Sequence, residues 1–333
     1  MSPGPSSIPV ENPAPSRTAL ATALMRAAHT RLDPHPLIDD PWGDRLVPES
    51  TRNGIMDASL LRSRAYPNVI TRTRYSEDAL KIAVSRGVRQ YVLVGAGFDS
   101  FALRRPAFSA DLQIFEIDFP ATQTLKIQRI KECGVSLPDS VHFIPADLSL
   151  ESVAAALARS SFEWDRLTFF SWLGVTMYLS REANLATLRS IASCSPAGSE
   201  LVFTYLDERL FQAQSESFRE LEQRVAAVGE PFLSGFDPAG LAKNLADCGL
   251  ELVEDLDGSA IAKRYDRGGE HGLGQSSFSH IALARVYGTP APVGACSRRN
   301  CSIRASRPAG ALSLSVRPRP STTVHDVHAV AAP

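Results

Sequence analysis

The chain has 333 residues, of which 44% are hydrophobic and 21% charged, with a formal net charge of −1. That is enough apolar material for one large core or two modest ones, and the near-neutral balance supplies no overall pull toward nucleic acid or a membrane surface. The five cysteines, Cys133, Cys194, Cys248, Cys296 and Cys301, are odd in number and lack CxxC spacing; this argues against a metal site and a disulfide framework and fits a reducing, cytoplasmic compartment.

Residues 1–16 contain five prolines and no apolar run, so they read as a disordered arm rather than a secretory signal. No window of about 18 apolar residues follows anywhere, and no membrane span is expected. Ser16 is placed to cap a helix over 17 to about 30, with Ala19, Leu20, Ala23, Leu24 and Ala27 as its apolar face. The proline-punctuated segment 33–42 reads as a loop. A long helix is expected over about 59–86, carrying Arg62, Arg64, Arg72 and Arg74, so that 17–86 forms a helical cover.

From Gln90 the rhythm changes to short apolar runs alternating with helical stretches. Strands are expected at 90–94, 112–117, 141–144, 167–173, 200–205, 250–255 and 278–286, and helices at 121 to about 132, 152–160 and 181–193. Strands apolar on both faces and separated by helices indicate a mostly parallel sheet covered on both sides, a doubly wound α/β fold. The sheet core spans 87–288, with an insertion at about 208–235 holding Phe211, Phe218 and Phe232, and Phe236 just beyond it. Residues 289–333 lose all periodicity and set six arginines (Arg298, Arg299, Arg304, Arg307, Arg317, Arg319) against one acid, Asp326; they read as a disordered basic tail.

The chemistry starts at the first strand, which runs into Gly95-Ala-Gly97-Phe-Asp99-Ser100. Glycines at 95 and 97 allow a tight turn and a close approach of backbone to ligand. A dinucleotide loop would carry a third glycine at position 100, where this chain has Ser100, and Asp99 places a carboxylate where a pyrophosphate would lie. A nucleoside ligand without phosphates, such as S-adenosylmethionine, suits the loop better. Asp118 stands 21 residues past Gly97, near the spacing at which an acid receives ribose hydroxyls in this fold class. Glu116, two residues earlier on the same side of the strand, has the same reach. After the third strand, Asp147 could accept the adenine amino group with Leu148 against the ring. The three strand ends lie side by side at the carboxyl edge of the sheet, where ligands bind in open α/β folds.

With these residues in view, the sequence resembles the leucine carboxyl methyltransferase superfamily, in particular its large actinobacterial branch of S-adenosyl-L-methionine-dependent methyltransferases. The matching segments include Arg26-Ala27, Asp40-Pro41-Trp42, Arg72-Thr-Arg74-Tyr-Ser-Glu-Asp78, the glycine loop, Phe115-Glu-Ile-Asp-Phe-Pro120, Lys126, Asp147-Leu148, Gly174-Val-Thr-Met-Tyr-Leu179 and Pro196-Ala-Gly-Ser199, in order from about 17 to 286. The resemblance implies a class I methyltransferase, Rossmann-like sheet of seven strands, six parallel and one antiparallel, under an N-terminal helical cover. It implies that Asp118 binds the ribose, Asp147 and Leu148 flank the adenine, Gly95 lines the methionine portion and Arg72 pairs with the cofactor's carboxylate, for which Arg74 is the rival. One departure stands out: many relatives carry an acid where this chain has Leu173.

Methyl transfer from a sulfonium is an in-line displacement that needs mainly alignment. A carboxylate acceptor needs no general base, whereas a hydroxyl or amine would want one. None of the histidines 29, 35, 142, 271 and 280 sits in a sequence constellation that marks a base. Tyr178 is the candidate catalytic residue, with packing beside Met177 as the other reading, and His271 lies on a glycine-rich loop able to fold over a substrate. The expected activity is O-methylation of a small-molecule carboxylate or hydroxyl; the alternatives are a non-catalytic cofactor- or partner-binding member of the fold and an NAD(P)-dependent oxidoreductase. No metal and no nucleic-acid partner are expected. A chain ending at residue 288 should keep its thermal midpoint and its cofactor affinity, and a marked fall in either would show that the tail packs.

Overall fold

A computed structural model describes residues 15–53, 55, 57–212 and 231–287. The proline-rich arm up to residue 14, most of the 208–235 insertion with Phe218, and the basic tail with Cys296 and Cys301 lie outside the described residues. The cover is built from α1 (Arg17–Leu32), α2 (Gly43–Leu46), α3 (Glu49–Arg52), α4 (Asp57–Leu61) and α5 (Tyr66–Ser85). The Ser16 hydroxyl caps α1 by accepting from the Ala19 N–H at 3.0 Å, and the Ser16 N–H donates to Thr122 Oγ1 at 3.0 Å.

The single helix expected over 59–86 is in fact two. Residues 62–65 interrupt it, and Pro67 falls in the first turn of α5. A proline there has no N–H to give to the preceding turn and its ring blocks a carbonyl four residues back, so helix can start at that point but not run through it.

The remaining elements alternate as follows: β1 (Gln90–Val94), α6 (Phe101–Arg104), β2 (Gln113–Asp118), α7 (Pro120–Glu132), β3 (Val141–Pro145), α8 (Val153–Leu157), β4 (Thr168–Trp172), α9 (Arg181–Ser193), β5 (Glu200–Leu206), α10 (Arg209–Gln212), α11 (Leu241–Ala246), β6 (Leu250–Asp257), α12 (Gly258–Tyr265) and β7 (Ser279–Val286). They form a seven-stranded sheet in the order β3-β2-β1-β4-β5-β7-β6. The pairs among β1 to β5 are parallel, and β7 is antiparallel to both β5 and β6, so six strands share a direction and one opposes them. The helices α6, α11 and α12 were not marked by periodicity, being short pieces between loops.

Alternating side chains feed two separate cores, as a doubly covered sheet requires. Val92, Val94, Phe115, Ile117, Phe170, Trp172, Leu201 and Phe203 pack with α8, α9 and α11. Tyr91, Leu93, Ile114, Phe169 and Val202 pack against Tyr75, Leu80 and Ala83 of α5 and Ile261 of α12. A third core holds Leu20, Ala23 and Leu24 of α1 with Leu46, Leu60, Val69, Ile70 and Phe98. Helix α5 therefore belongs to both layers: its first half packs on the cover and its second half on the sheet. No described helix is long and apolar enough to cross a membrane. Ile70 is fully buried in the cover core, and Ile70→Ala should lower the unfolding free energy by about 2–5 kcal/mol, read from urea midpoints; a loss below about 1 kcal/mol would mean that the cover packs loosely on the sheet.

Candidate active site

The strand order reverses between β1 and β4, and a cavity of about 400 Å³ opens at the carboxyl ends of these strands. That is the topological switch point at which open α/β sheets bind ligands, and the volume lies in the usual range for small-molecule sites. Its floor is the loop after β1. Gly95 has φ +71°, and a Cβ there would meet Val175 Cγ2 at 2.5 Å; Gly174, after β4, has φ +72°, and a Cβ there would meet the Arg72 guanidinium at 2.6 Å. Both positions thus combine the left-handed backbone region with a close approach, which selects glycine.

The cavity brings together all six residues singled out from the sequence: Arg72, Gly95, Asp118, Asp147, Leu148 and Tyr178. Asp118 ends β2 and is nine-tenths buried. One of its oxygens accepts from the Gly97 N–H, so the glycine loop and the acid are locked together. Burial pushes the Asp118 carboxyl up, opposed by the Gly97 N–H, by Lys126 and by the Phe119 N–H. Glu116, its rival by sequence, lies deeper on the same strand face, does not line the cavity and pairs with Lys126 at 2.5 Å. Asp147 is held by its own turn: one carboxylate oxygen accepts from the Ser149 N–H at 2.9 Å and the Ser149 hydroxyl at 2.6 Å.

Arg72 projects from the middle of α5, where the helix passes from cover to sheet, and lies over Gly174. It donates to Asn68 Oδ1 at 3.0 Å, and among the described residues no carboxylate lies within ion-pair distance of it. Surrounded by protein, it keeps accessible area on the cavity that it lines. Burial pushes its guanidinium down to about 10, which leaves it charged at neutral pH. A desolvated cation without an anionic partner is a receptor for an anion. Arg74 is spent elsewhere: its guanidinium pairs with Asp78 at 3.0 Å and donates to the Leu37 carbonyl at 2.9 Å, and it does not line the cavity.

The roof comes from the N-terminal helical cover, through residues that the sequence did not single out for the site. Ser16, Thr18, Ala19, Thr22 and Arg26 of the α1 segment line the cavity. Arg26 is buried, with Nε 2.7 Å from Asp40 Oδ2 and Nη2 donating to the Phe98 carbonyl at 2.7 Å. Burial works against the charge of Asp40, but Arg26 and Arg104 more than offset it and hold the carboxyl below the usual carboxylate range. The only sequence signal for this clamp was Asp40-Pro-Trp42 and Arg26-Ala27 among the matching segments, which gave no pairing.

Leu173 and Ser171 form the β4 side of the cavity, with the Ser171 hydroxyl 3.0 Å from the Tyr91 hydroxyl. Tyr178 stands on the cavity wall in a 3-10 turn after β4, its ring 5.7 Å from that of Phe232. Phe236 is instead fully buried core beside Tyr205. His271 does not lie over the cavity: its Nδ1 sits 2.6 Å from Asp33 Oδ2, and its N–H donates to Asp266, which fixes the glycine-rich loop on the end of α1. Among the described residues no cluster of His, Cys, Asp and Glu could hold a metal ion.

The leucine carboxyl methyltransferase family profile matches residues 19–192, a stretch that includes all six residues named above. A Bacillus subtilis protein whose provisional name is S-adenosyl-L-methionine-dependent methyltransferase YktD is 33% identical over 268 residues, covering 72% of this chain and 88% of that one. A Mycolicibacterium smegmatis protein with the same provisional activity name is 30% identical over 271 residues, covering 72% of this chain and 89% of its own. Among solved structures, a protein from Thermobifida fusca provisionally titled a methyltransferase superposes with a TM-score of 0.57 at 14% identity, covering 84% of this chain and 97% of the other; at that identity the likeness speaks for the fold.

The clamp has a measurable consequence. Arg26→Met should cost about 3 kcal/mol or more, because it leaves the Asp40 carboxylate buried without its principal partner. The stability that Asp40 contributes is present above the ordinary carboxylate range and is lost as pH falls through its depressed value, so the gap between wild type and variant should narrow as the pH falls below that range. Urea titrations at pH 7 and at acid pH measure both effects.

Proposed function

This chain belongs to the leucine carboxyl methyltransferase family and is an S-adenosyl-L-methionine-dependent methyltransferase, and we propose that it O-methylates a small molecule through a carboxylate or hydroxyl oxygen. The residues present fit the cofactor. Asp118 would accept the ribose hydroxyls through charge-assisted hydrogen bonds, and Asp147 would accept from the adenine amino group with Leu148 against the ring. Gly95, where a side chain would fill the space, would line the methionine portion, and Arg72 would pair bidentately with its carboxylate. Leu173 leaves the neighbouring wall apolar, with the Ser171 hydroxyl as the polar group that β4 offers there. The bound sulfonium would supply an electrophilic methyl group; the chain's own task is to align the acceptor and exclude water.

The observation that carries the acceptor class is the make-up of the cavity lining. Among the described residues its titratable groups are Arg26, Arg72, Asp99, Asp118, Asp147 and Tyr178, with no histidine, lysine, glutamate or cysteine. With Asp118 and Asp147 assigned to the nucleoside and Asp99 accepting from the Phe101 N–H at 2.7 Å, the described residues offer no strong base to the reaction centre. An acceptor that is already anionic needs none, which favours a carboxylate over a hydroxyl. Tyr178, on the same wall as Arg72, would orient the acceptor oxygen. The oxidoreductase alternative is set aside by the family and by Asp99, whose charge lies in the cavity where a pyrophosphate would sit.

Calorimetry with S-adenosylhomocysteine tests the cofactor assignment: Asp118→Ala should weaken binding by about 1.5–3 kcal/mol, and an unchanged dissociation constant in the folded variant would refute the role of Asp118. Methyl-group transfer from labelled cofactor to a panel of acids, phenols and amines tests the acceptor. A product that releases methanol in mild base is a carboxyl ester and supports the proposal; an alkali-stable ether narrows it to hydroxyls, and transfer to amines alone would overturn it.

A further inference from the structure

Helix α5 carries two arginines two residues apart, and each is held by an oxygen one turn away. Arg74 pairs with the Asp78 carboxylate, its Nε 3.0 Å from Oδ2 at the i,i+4 spacing. Arg72 donates from Nη1 to Asn68 Oδ1 at 3.0 Å, at the same spacing in the other direction. Asparagine and aspartate have the same shape, and a guanidinium donates to the oxygen of either. They differ in what they leave behind: a carboxylate cancels the arginine's charge, whereas an amide oxygen orients the fork and leaves the charge in place. A second support is the backbone of Gly174, where a Cβ would meet both Nη atoms of Arg72 at 2.6 Å and Cζ at 2.8 Å, so the guanidinium rests against it. The Gly174 N–H in turn donates to Oγ1 of the buried Thr204 on β5 at 2.7 Å. Arg72 is therefore held from its own helix and from the sheet by groups that carry no charge. Stability of the fold gives no reason for that choice. An aspartate at position 68 would pair a partly desolvated cation and would put negative charge into the first turn of α5, which holds no acid and where the helix terminus favours one.

We propose that Asn68 is a positioning residue that aims the Arg72 guanidinium into the cavity and, being neutral, leaves its positive charge for an anionic group of the ligand. This rests on the reading of Arg72 as the receptor for the carboxylate at the cofactor's amino-acid end. Arg72 lines the cavity and Asn68 does not, so Asn68 acts through Arg72 alone. The substitution Asn68→Asp separates its two tasks, because it keeps the shape and an oxygen acceptor and changes only the charge. The introduced carboxylate would stand one turn from Arg72, so a ligand carboxylate would have to compete with it for the guanidinium and would be repelled by it. The fold would gain an ion pair while the site lost its receptor, and stability and affinity would move in opposite directions. A residue that served only to pack would move them together.

The test is calorimetry on the full-length chain at neutral pH with two ligands, S-adenosylhomocysteine and methylthioadenosine, the second of which keeps the nucleoside and the sulfur but has no amino-acid end. Asn68→Asp should weaken S-adenosylhomocysteine by about tenfold or more, bind methylthioadenosine as wild type does, and unfold at or above the wild-type temperature. Asn68→Ala, which keeps the charge and loses the hold, should lose less affinity for S-adenosylhomocysteine than Asn68→Asp. Full affinity for S-adenosylhomocysteine in Asn68→Asp, an equal loss for both ligands, or a thermal midpoint that falls along with the affinity would overturn the proposal. Where methylthioadenosine binds too weakly to read, the two Asn68 variants decide: a loss in Asn68→Asp no larger than in Asn68→Ala overturns it. Arg72→Met isolates the reading beneath. If that variant binds S-adenosylhomocysteine undiminished, or if wild type does not bind it, the assignment of Arg72 falls and the proposal falls with it.

Discussion

The site depends on one buried guanidinium. Arg26 reaches from α1 to the Asp40 carboxylate on one side and to the Phe98 carbonyl on the other, so it ties the cover, the loop after it and the glycine loop at the sheet edge into one piece. Asp40 is in turn fixed locally: its N–H donates to Thr30 Oγ1 at 2.7 Å and its carboxylate accepts from the Trp42 N–H at 3.1 Å. Arg104 extends the network through Glu77 on α5. A half-satisfied network of this kind would cost more than an apolar core; here Arg26 and Asp40 are satisfied on both sides, and the roof of the cavity is set by directional bonds rather than by packing alone.

The same economy governs the cavity's charges. Among the described residues no carboxylate lies within ion-pair distance of the half-buried Arg72, while Asp118, at the end of β2, commits an oxygen to the Gly97 N–H of the loop after β1, and Asp147, just past β3, commits one to the Ser149 N–H. The cation lies on the helix shared by cover and sheet, and the acids lie on strand ends. The two signs are therefore held by different elements, an arrangement that suits a ligand with an anionic amino-acid end and a hydroxyl-rich nucleoside end.

Much of this was legible in the sequence because it is local. Strands buried on both faces announce themselves as unbroken apolar runs, and β1 was delimited correctly at both ends. The order β1-glycine loop, β2-Asp118, β3-Asp147 fixes which strand ends adjoin, because right-handed crossovers leave a doubly wound sheet little topological freedom. The missing third glycine and Asp99 were sufficient to disfavour a pyrophosphate before any geometry was known.

What the sequence determined, then, was the sheet, the cofactor class and the acids that meet at its edge, since unbroken apolar runs and loop chemistry are properties of neighbouring residues. Only the tertiary structure decided between alternatives that local spacing leaves equal. Arg72 and Arg74 are two apart on one helix, yet one faces the cavity and the other Asp78; Glu116 and Asp118 share a strand face, yet only the second reaches the ligand edge. Arg26 and Lys126 take their meaning from partners on other elements, Asp40 and Glu116, and no periodicity records such pairs. Side-chain direction and the docking of one layer on another are fixed by packing across the whole chain, which is why the site's floor could be read in advance and its roof could not.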